Sequence, residues 1–223
     1  MVPAQNPKAT PDTGYYENER PEVAALVDES ALTVLDVGCG SGVLGARLKK
    51  AVPRRRVFGI EYVPQIAETA IPKLDGIVVG DVLQIELPFE KNMFDCIIFA
   101  DVLEHLASPE RVLERLKPFL RKNGTIVCSI PNMRHYTVIL KLLKHGWRYE
   151  EFGHFDRTHL RFFSLDSMKE LLAGAGFRLE TTIPRIVASA KMQFLNRLLL
   201  NRLEEFLAFQ YLLKARNDGS TQV

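Results

Sequence analysis

Acidic residues and glycines come together in one stretch of the sequence, VLDVGCGSG, over residues 34–42. Asp36 lies two positions before Gly38, and Gly40 and Gly42 follow in alternation where a helical pattern begins. Glycine lets the backbone turn sharply and approach a ligand with no Cβ in the way. The first turn of a helix adds free N–H groups for a polar or anionic ligand group. A tight turn alone explains one or two of these glycines, so the stretch indicates a ligand site.

The spacing of the glycines narrows the chemistry of that ligand. The dinucleotide fingerprint is G-x-G-x-x-G/A, but here Val43 occupies the last small position and the third glycine falls one position early. A carboxylate at Asp36 would repel phosphates, whereas it could hold an ammonium group directly or through water. The pattern therefore favours an amino-acid-bearing nucleoside over a diphosphate.

Two further acidic residues close the next two predicted strands. Glu61 is the second-to-last residue of VFGIEY, and Asp81 is the last of GIVVGD. Open α/β sheets bind their ligands at the carboxyl ends of the strands. Two carboxylate oxygens also match a vicinal diol. Alone, Glu61 is more simply a solvated strand end and Asp81 a turn residue. Together with the glycine stretch they favour a functional interpretation.

With these motifs, the sequence resembles the class I S-adenosylmethionine-dependent methyltransferases over about residues 15 to 180. The resemblance implies that the methionine portion of the cofactor contacts Asp36 and the glycine stretch, that Glu61 binds the two ribose hydroxyls, and that Tyr62 lies beside the adenine. It also implies that the adenine amino group binds Asp81 and a ring nitrogen binds the Val82 N–H. The expected cofactor contacts are Asp36, Gly38, Cys39, Gly40, Gly42, Glu61, Tyr62, Asp81, Val82, Ala100, Asp101, Tyr16 and Arg20.

The stretch ADVLEHL over residues 100–106 resembles the fourth-strand motif of the small-molecule branch of that family. The resemblance places Ala100 and Asp101 along the cofactor cleft and His105 just beyond it. The Asn-Pro-Pro-Tyr or Asp-Pro-Pro-Tyr tetrapeptide of nucleobase and glutamine N-methylases does not occur there, which disfavours their chemistry. Tyr16 and Arg20 are expected to fold over the cofactor; for Arg20, an ordinary exposed arginine is the alternative.

A second histidine-bearing stretch, GHFDRTHLRFFS, spans residues 153–164. It resembles sequences of methyltransferases that act on sugars and glycans. His154 or His159, with His105 as a third candidate, could remove a hydroxyl proton as the methyl group arrives. The alternative is structural, with the histidines holding a loop. Metal-ligand residue types occur at His154, Asp156 and His159, but without regular spacing, so we expect no metal site.

The elements that position these residues alternate between buried strands and helices. Five apolar, β-branched runs predict parallel strands, and the helical patterns between them predict a doubly wound α/β sheet. The strands are predicted at 32–37, 57–62, 76–81, 94–101 and 124–131, with helices at 20–29 and 42–52, from 64, and at 109–120.

The last third of the chain departs from this alternation. A helix is predicted at 133–144 within a small helical cap over about 132–163, a second helix starts at Ser164 or Asp166, and a strand covers 177–186. The final segment is split into a helix at 190–204 and a strand at 206–215, which completes a Rossmann-like seven-stranded sheet. An amphipathic membrane-surface or dimerisation helix is the alternative for that segment.

Composition excludes several classes of protein. The 223 residues are 47% hydrophobic and 25% charged, with 29 Lys and Arg against 27 Asp and Glu. The near balance argues against a dedicated duplex-DNA binder, and three scattered cysteines favour a reducing compartment. Neither a signal peptide nor a membrane span is expected. We therefore expect a cytoplasmic protein with a disordered tail over 1–14 and a single domain over 15–223.

The expected activity is transfer of a methyl group from S-adenosylmethionine to an oxygen, or a nitrogen, of a small-molecule or sugar acceptor. The sequence leaves two alternatives open: a nicotinamide-dependent oxidoreductase, and a non-catalytic adapter that acts through its apolar C-terminal segment. A homodimer is also compatible with that segment.

Overall fold

The computed structural model describes residues 19–219, and its centre is one seven-stranded sheet. Tyr16 and the predicted tail over 1–14 lie outside the described residues. The strands are β1 Thr33–Val37, β2 Arg56–Glu61, β3 Gly76–Val79, β4 Phe94–Ala100, β5 Leu120–Pro131, β6 Arg178–Ile186 and β7 Ala208–Arg216. Their order across the sheet is β3-β2-β1-β4-β5-β7-β6, which confirms the predicted seven-stranded α/β fold.

The helices flank this sheet. They are α1 Pro21–Ala24, α2 Val43–Ala51, α3 Pro64–Ala70, α4 Pro109–Leu116, α5 Tyr136–His145, α6 Leu165–Gly174, α7 Ala190–Leu198 and α8 Glu204–Leu207. The helix predicted at 109–120 ends earlier than expected, at Leu116, and continues as a 3-10 turn over Lys117–Phe119. Pro118, which has no N–H to donate, explains the early end.

Strand direction divides the sheet into two parts. Strands β1 to β5 pair in parallel, and β7 runs antiparallel between β5 and β6. In the register, Asp36 of β1 lies between Gly59 of β2 and Ile98 of β4. The carboxyl ends of β1, β2 and β4 therefore meet at one edge, where Asp36, Glu61 and Asp101 fall.

The core packs on both faces of the parallel strands. Leu35 and Ile97 belong to one buried apolar cluster, whereas their neighbours Val34 and Cys96 belong to the cluster on the opposite face. A strand buried on both faces needs apolar residues at every position. This explains why these strands show little alternation in the sequence.

The predicted cap segment, 132–163, holds α5 followed by a long irregular loop that returns to the sheet. Asn132 forms a parallel bridge with Phe163. Helix α6 then begins with a capping box in which Ser164 accepts from the Ser167 N–H, so Ser164 is the correct one of the two predicted starts.

The C-terminal segment is a helix followed by a strand, as predicted, but the helix is broken. Helices α7 and α8 replace the single helix predicted at 190–204, because Leu200 and Asn201 between them have φ angles of 52° and 61°. Left-handed residues cannot continue a right-handed helix. The strand predicted at 206–215 is β7, which pairs with two partners inside the sheet.

Candidate active site

The glycine stretch forms a left-handed turn between β1 and α2. Gly38, Gly40 and Gly42 have φ angles of 69°, 53° and 77°, a region that L side chains rarely adopt. A Cβ on Gly38 would also lie 2.6 Å from the Val102 side chain. The turn is tied to β2 because the N–H of Gly38 donates to the Ile60 carbonyl at 2.8 Å. The backbone is exposed at Gly38, whereas Gly40 and Gly42 are buried, so a ligand can reach the turn at Gly38.

Asp36 is a buried carboxyl at the end of β1, with 2% of its surface exposed. Burial, and then the nearby Glu61 carboxylate, raise its pKa to about 7, while Arg20 acts in the opposite direction. Withdrawal from water disfavours the charged form. A cationic ligand group beside Asp36 would reverse that cost, so the environment suits an ammonium.

Glu61, at the end of β2, is also buried and holds two backbone groups. Its Oε2 accepts from the Gly40 N–H at 2.8 Å and its Oε1 accepts from the Val63 N–H at 2.9 Å. A carboxylate oxygen has two lone pairs, so each oxygen can accept one more hydrogen bond. Glu61 can thus bind a pair of ligand hydroxyls while it holds the glycine turn.

The residues after β2 and β3 are less enclosed. Tyr62 is 60% exposed. Asp81 accepts hydrogen bonds at one oxygen from the Leu83 N–H (2.9 Å) and at the other from the Gln84 side chain (2.8 Å). The neighbouring Val82 side chain packs into the main core. Asp81 therefore acts as a turn residue here, with lone pairs left for a ligand amino group.

Asp101, the residue after β4, is the centre of a polar network. Its φ is 53°, and one carboxylate oxygen pairs with Arg20. The other oxygen accepts from the Ser129 hydroxyl at 2.7 Å and from the Gln210 amide at 2.8 Å. Arg20 is thus held against the site instead of being exposed. Gln210 was not predicted, because nothing in the local sequence of β7 marks it.

The candidate histidines divide into two groups. The rings of His105 and His159 lie 4.7 Å apart, centre to centre, beside the buried Glu104. His154 lies elsewhere: its Nε2 is 2.9 Å from the Phe209 carbonyl, and its ring stacks on that of His135. Burial lowers the pKa of His154 to about 4. The geometry therefore brings together two of the three predicted catalytic histidines.

Asp156 holds the loop that carries His159. Its Oδ1 accepts from the Thr158 N–H at 2.8 Å and from the Thr158 hydroxyl at 2.7 Å. Among the described residues, the group whose ligand atoms converge is Glu104, His105 and His159. Glu104 was not singled out in the sequence, because a glutamate in a 3-10 turn carries no motif of its own.

The family comparison agrees with this architecture. A methyltransferase-domain family model matches residues 14–182, so the chain belongs to that family, and S-adenosylmethionine is the cofactor that this membership implies. The fold is shared with an S-adenosylmethionine-dependent methyltransferase from Mesorhizobium loti, at a TM-score of 0.63 and 16% identity, over 89% of this chain and 97% of that one.

Two curated relatives illustrate the range of the family. The chain is 24% identical to the ubiquinone/menaquinone biosynthesis C-methyltransferase of Desulfotalea psychrophila, over 70% of this chain and 69% of the relative. It is 32% identical to the mitochondrial ubiquinone biosynthesis O-methyltransferase of Candida albicans, over 48% and 35%. Across the first four relatives, the chain spans between 32% and 69% of their length.

Over residues 19–219, the structure contains no helix with the length and apolar character needed to cross a bilayer.

Proposed function

We propose that this protein transfers a methyl group from S-adenosylmethionine to an oxygen, or a nitrogen, of a small-molecule or sugar acceptor. The observation that carries the proposal is the pair of buried carboxyl groups, Asp36 and Glu61, beside the left-handed backbone of Gly38 and Gly40. In such a site, Asp36 can bind an ammonium group and the Glu61 oxygens can bind a diol. The exposed backbone of Gly38 can contact the part of the ligand that joins the two groups. The family match favours methyl transfer over the nicotinamide alternative.

The proposed cofactor contacts follow the edge of the sheet. Asp36 binds the amino group, Glu61 binds the ribose hydroxyls with its free lone pairs, and Asp81 with the Val82 N–H binds the adenine next to Tyr62. Arg20, held by Asp101, is placed to meet the cofactor carboxylate. The remaining proposed contacts are Gly38, Cys39, Gly40, Gly42, Ala100 and, outside the described residues, Tyr16.

The main contribution of the protein to this reaction is to align the acceptor with the methyl group of the cofactor. S-adenosylmethionine supplies an electrophilic methyl group on a sulfonium, and holding an acceptor in line with it can contribute ~7–11 kcal/mol. His105 and His159 are the proposed site of proton removal, which would add ~10²–10⁴-fold. His154 is assigned a positioning role instead, because its Nε2 already faces the Phe209 carbonyl.

The proposal extends to organisation and location. Strand β7 pairs between β5 and β6, which supports one domain over 15–223 with the cap inserted at 132–163.

All three cysteines are free and buried, which supports a reducing compartment, the cytoplasm. Nucleic acid is not a proposed partner, since the net charge is +2. A homodimer would use the exposed apolar residues of α7, such as Phe194 and Leu198.

Calorimetric titration with S-adenosylmethionine tests the central claim. We expect the wild type to bind it and Asp36→Asn to bind it ~10- to 100-fold more weakly, the value of a hydrogen bond to a charged group. Asp166→Asn, on the exposed first turn of α6, is the matched control. Equal affinity in Asp36→Asn and the wild type would overturn the site. A labelled-methyl screen against sugars, nucleotide sugars, quinone precursors and small acids then identifies the acceptor.

A further inference from the structure

A buried carboxyl group without a partner lies just beyond the end of β4. Glu104 is 1% exposed, and among the described residues neither of its side-chain oxygens has a hydrogen-bond partner. Leaving a buried polar group unpaired destabilises the folded protein, and more so when the group is charged. The Glu104 carboxyl is therefore buried without the hydrogen bonds that such a group normally has.

Two imidazoles converge on the same carboxyl. One ligand atom from each of Glu104, His105 and His159 lies within 4.8 Å of the other two. The two rings meet at an angle of 71°. A bound zinc ion takes nitrogen ligands at ~2.0–2.1 Å and carboxylate oxygens at ~2.0–2.2 Å. Ligand atoms within 4.8 Å of one another can be shared by one ion if the side chains close on it.

Outer hydrogen bonds engage one nitrogen of each histidine ring. The Nδ1 of His105 lies 3.0 Å from the Thr158 hydroxyl, and the Nδ1 of His159 lies 3.4 Å from the His154 carbonyl. Nε2 therefore remains available on each ring. Metal-binding histidines characteristically use one nitrogen for the ion and the other for a backbone or side-chain partner.

The backbone holds the three residues in place. The N–H groups of Leu160 and Arg161 donate to the Glu104 carbonyl at 2.8 and 2.9 Å. These two bonds fix the residue after His159 against Glu104, although the two stretches are distant in sequence. The cluster is thus a built feature of the fold and not a chance meeting of mobile side chains.

We propose that Glu104, His105 and His159 form a binding site for a divalent first-row transition cation, with Zn²⁺ as its representative. Two imidazoles and one carboxylate are the ligand types and the number that catalytic sites use, with coordination positions left open. Asp101 and Asp156 add negative charge around Glu104, against Arg20 as the opposing cation. A divalent ion would neutralise the carboxylate that the fold has buried.

The open positions suggest what the cation would do, a role that rests on the proposed function. An acceptor hydroxyl bound there would have a lowered pKa and would lose its proton to solvent. The oxygen would then form its bond to the methyl carbon as the carbon–sulfur bond breaks and the sulfonium becomes a neutral thioether. In that arrangement the ion takes over the proton removal proposed above for His105 and His159, and the two histidines hold the ion. Cation binding itself does not depend on this role.

Competitive titration of Zn²⁺ against a fluorescent chelator tests the site on the full-length protein. We expect the wild type to bind one equivalent, and Glu104→Gln and His159→Ala to bind it more weakly by at least the ~10–100-fold that loss of an outer partner costs. His145→Ala, at the exposed end of α5, is the control and should match the wild type. Co²⁺ in place of Zn²⁺ should give visible absorption bands that are lost in both site variants.

Two readouts keep the result interpretable. Thermal unfolding of each variant without metal verifies that it is folded, and Zn²⁺ should raise the melting temperature of the wild type but not of His159→Ala. Titration with S-adenosylmethionine in the same samples should be unchanged by the variants. The metal site would be overturned if the wild type did not bind Zn²⁺ stoichiometrically. It would also be overturned if Glu104→Gln and His159→Ala both bound Zn²⁺ as tightly as the wild type. If the wild type did not bind S-adenosylmethionine, that result would instead overturn the proposed function.

Discussion

The Glu61 carboxylate accepts a hydrogen bond from the Gly40 N–H at 2.8 Å. This bond joins the end of β2 to the glycine turn that follows β1. Because the other Glu61 oxygen holds the Val63 N–H, one side chain fixes the backbone on both sides of the proposed ribose site. Glu61 thus shapes the site before any ligand arrives.

Glu61→Gln separates these two tasks. Glutamine keeps one acceptor oxygen, but it loses the charge and replaces the second oxygen with an NH₂ donor. We expect affinity for S-adenosylmethionine to fall ~10- to 100-fold, the value of a charge-assisted hydrogen bond. Calorimetry gives the affinity, and Glu68→Gln, on the exposed side of α3, is the matched control. Unchanged affinity in Glu61→Gln would remove Glu61 from the cofactor site.

Asp36→Asn should make the ligand-free protein more stable at high pH. The folded-state pKa of Asp36 is raised from 3.8 to about 7, so its favourable contribution is present below pH ~4 and is lost as the pH rises through 7. Asparagine does not titrate. The free energy of unfolding of the variant, relative to wild type, should therefore increase by up to ~4 kcal/mol between pH 4 and pH 8.

Urea unfolding at a series of pH values between 4 and 8 measures this difference. The exposed Asp166→Asn is again the control, and its stability should follow that of the wild type. If the Asp36→Asn and wild-type curves stay parallel across the range, the carboxyl of Asp36 is not buried as the structure has it. If Asp36→Asn is more stable than the wild type but binds the cofactor more weakly, then Asp36 contributes to cofactor binding at the expense of stability.

The parallel strands were predictable because the apolar residues within each strand indicate that it is buried. Each contains a short apolar run, and β1 to β4 start within one residue of their predicted starts. Strand β5 begins at Leu120, four residues before its predicted start. The helix predicted at 20–29 was too long: α1 stops at Ala24. Arg55 binds the Asp28 and Ala31 carbonyls, both at 2.7 Å, and so stabilises a turn where the helix was expected.

The site was predictable only in part, for the same reason. Asp36 and Glu61 lie at the ends of β1 and β2, and Asp101 follows β4, so all three could be placed from the sequence at the carboxyl edge of the sheet. The contact between His159 and Glu104 depends on a loop that folds back over that edge, and a loop has no periodicity to reveal its path. Gln210 reaches Asp101 from β7, which enters the sheet out of sequence order.

Tyr211→Phe should stabilise the protein. The Tyr211 hydroxyl is buried, and within residues 19–219 it has no hydrogen-bond partner; burial raises its pKa to about 12. Removal of an unpaired buried hydroxyl with retention of the ring should raise the free energy of unfolding by ~1 kcal/mol. Chemical denaturation measures the change, and Tyr149→Phe, at an exposed position, should have no effect. A destabilised Tyr211→Phe would mean that the hydroxyl has a partner.

His154→Gln should reduce the loss of stability that the protein undergoes at acid pH, and the variant should remain catalytically active. Burial lowers the folded-state pKa of His154 to about 4, so the wild type should lose up to ~3 kcal/mol of stability as the pH falls from 6.5 to 4. Glutamine can still donate to the Phe209 carbonyl, yet it does not titrate, so the variant's stability should fall less over that range. Once an acceptor is known, kcat at pH 8 should stay within about twofold of wild type, because the His154 side chain contacts the Phe209 carbonyl and the His135 ring, away from the His105–His159 pair. A loss of kcat near the ~10²–10⁴-fold range of a general base would instead return His154 to the catalytic site.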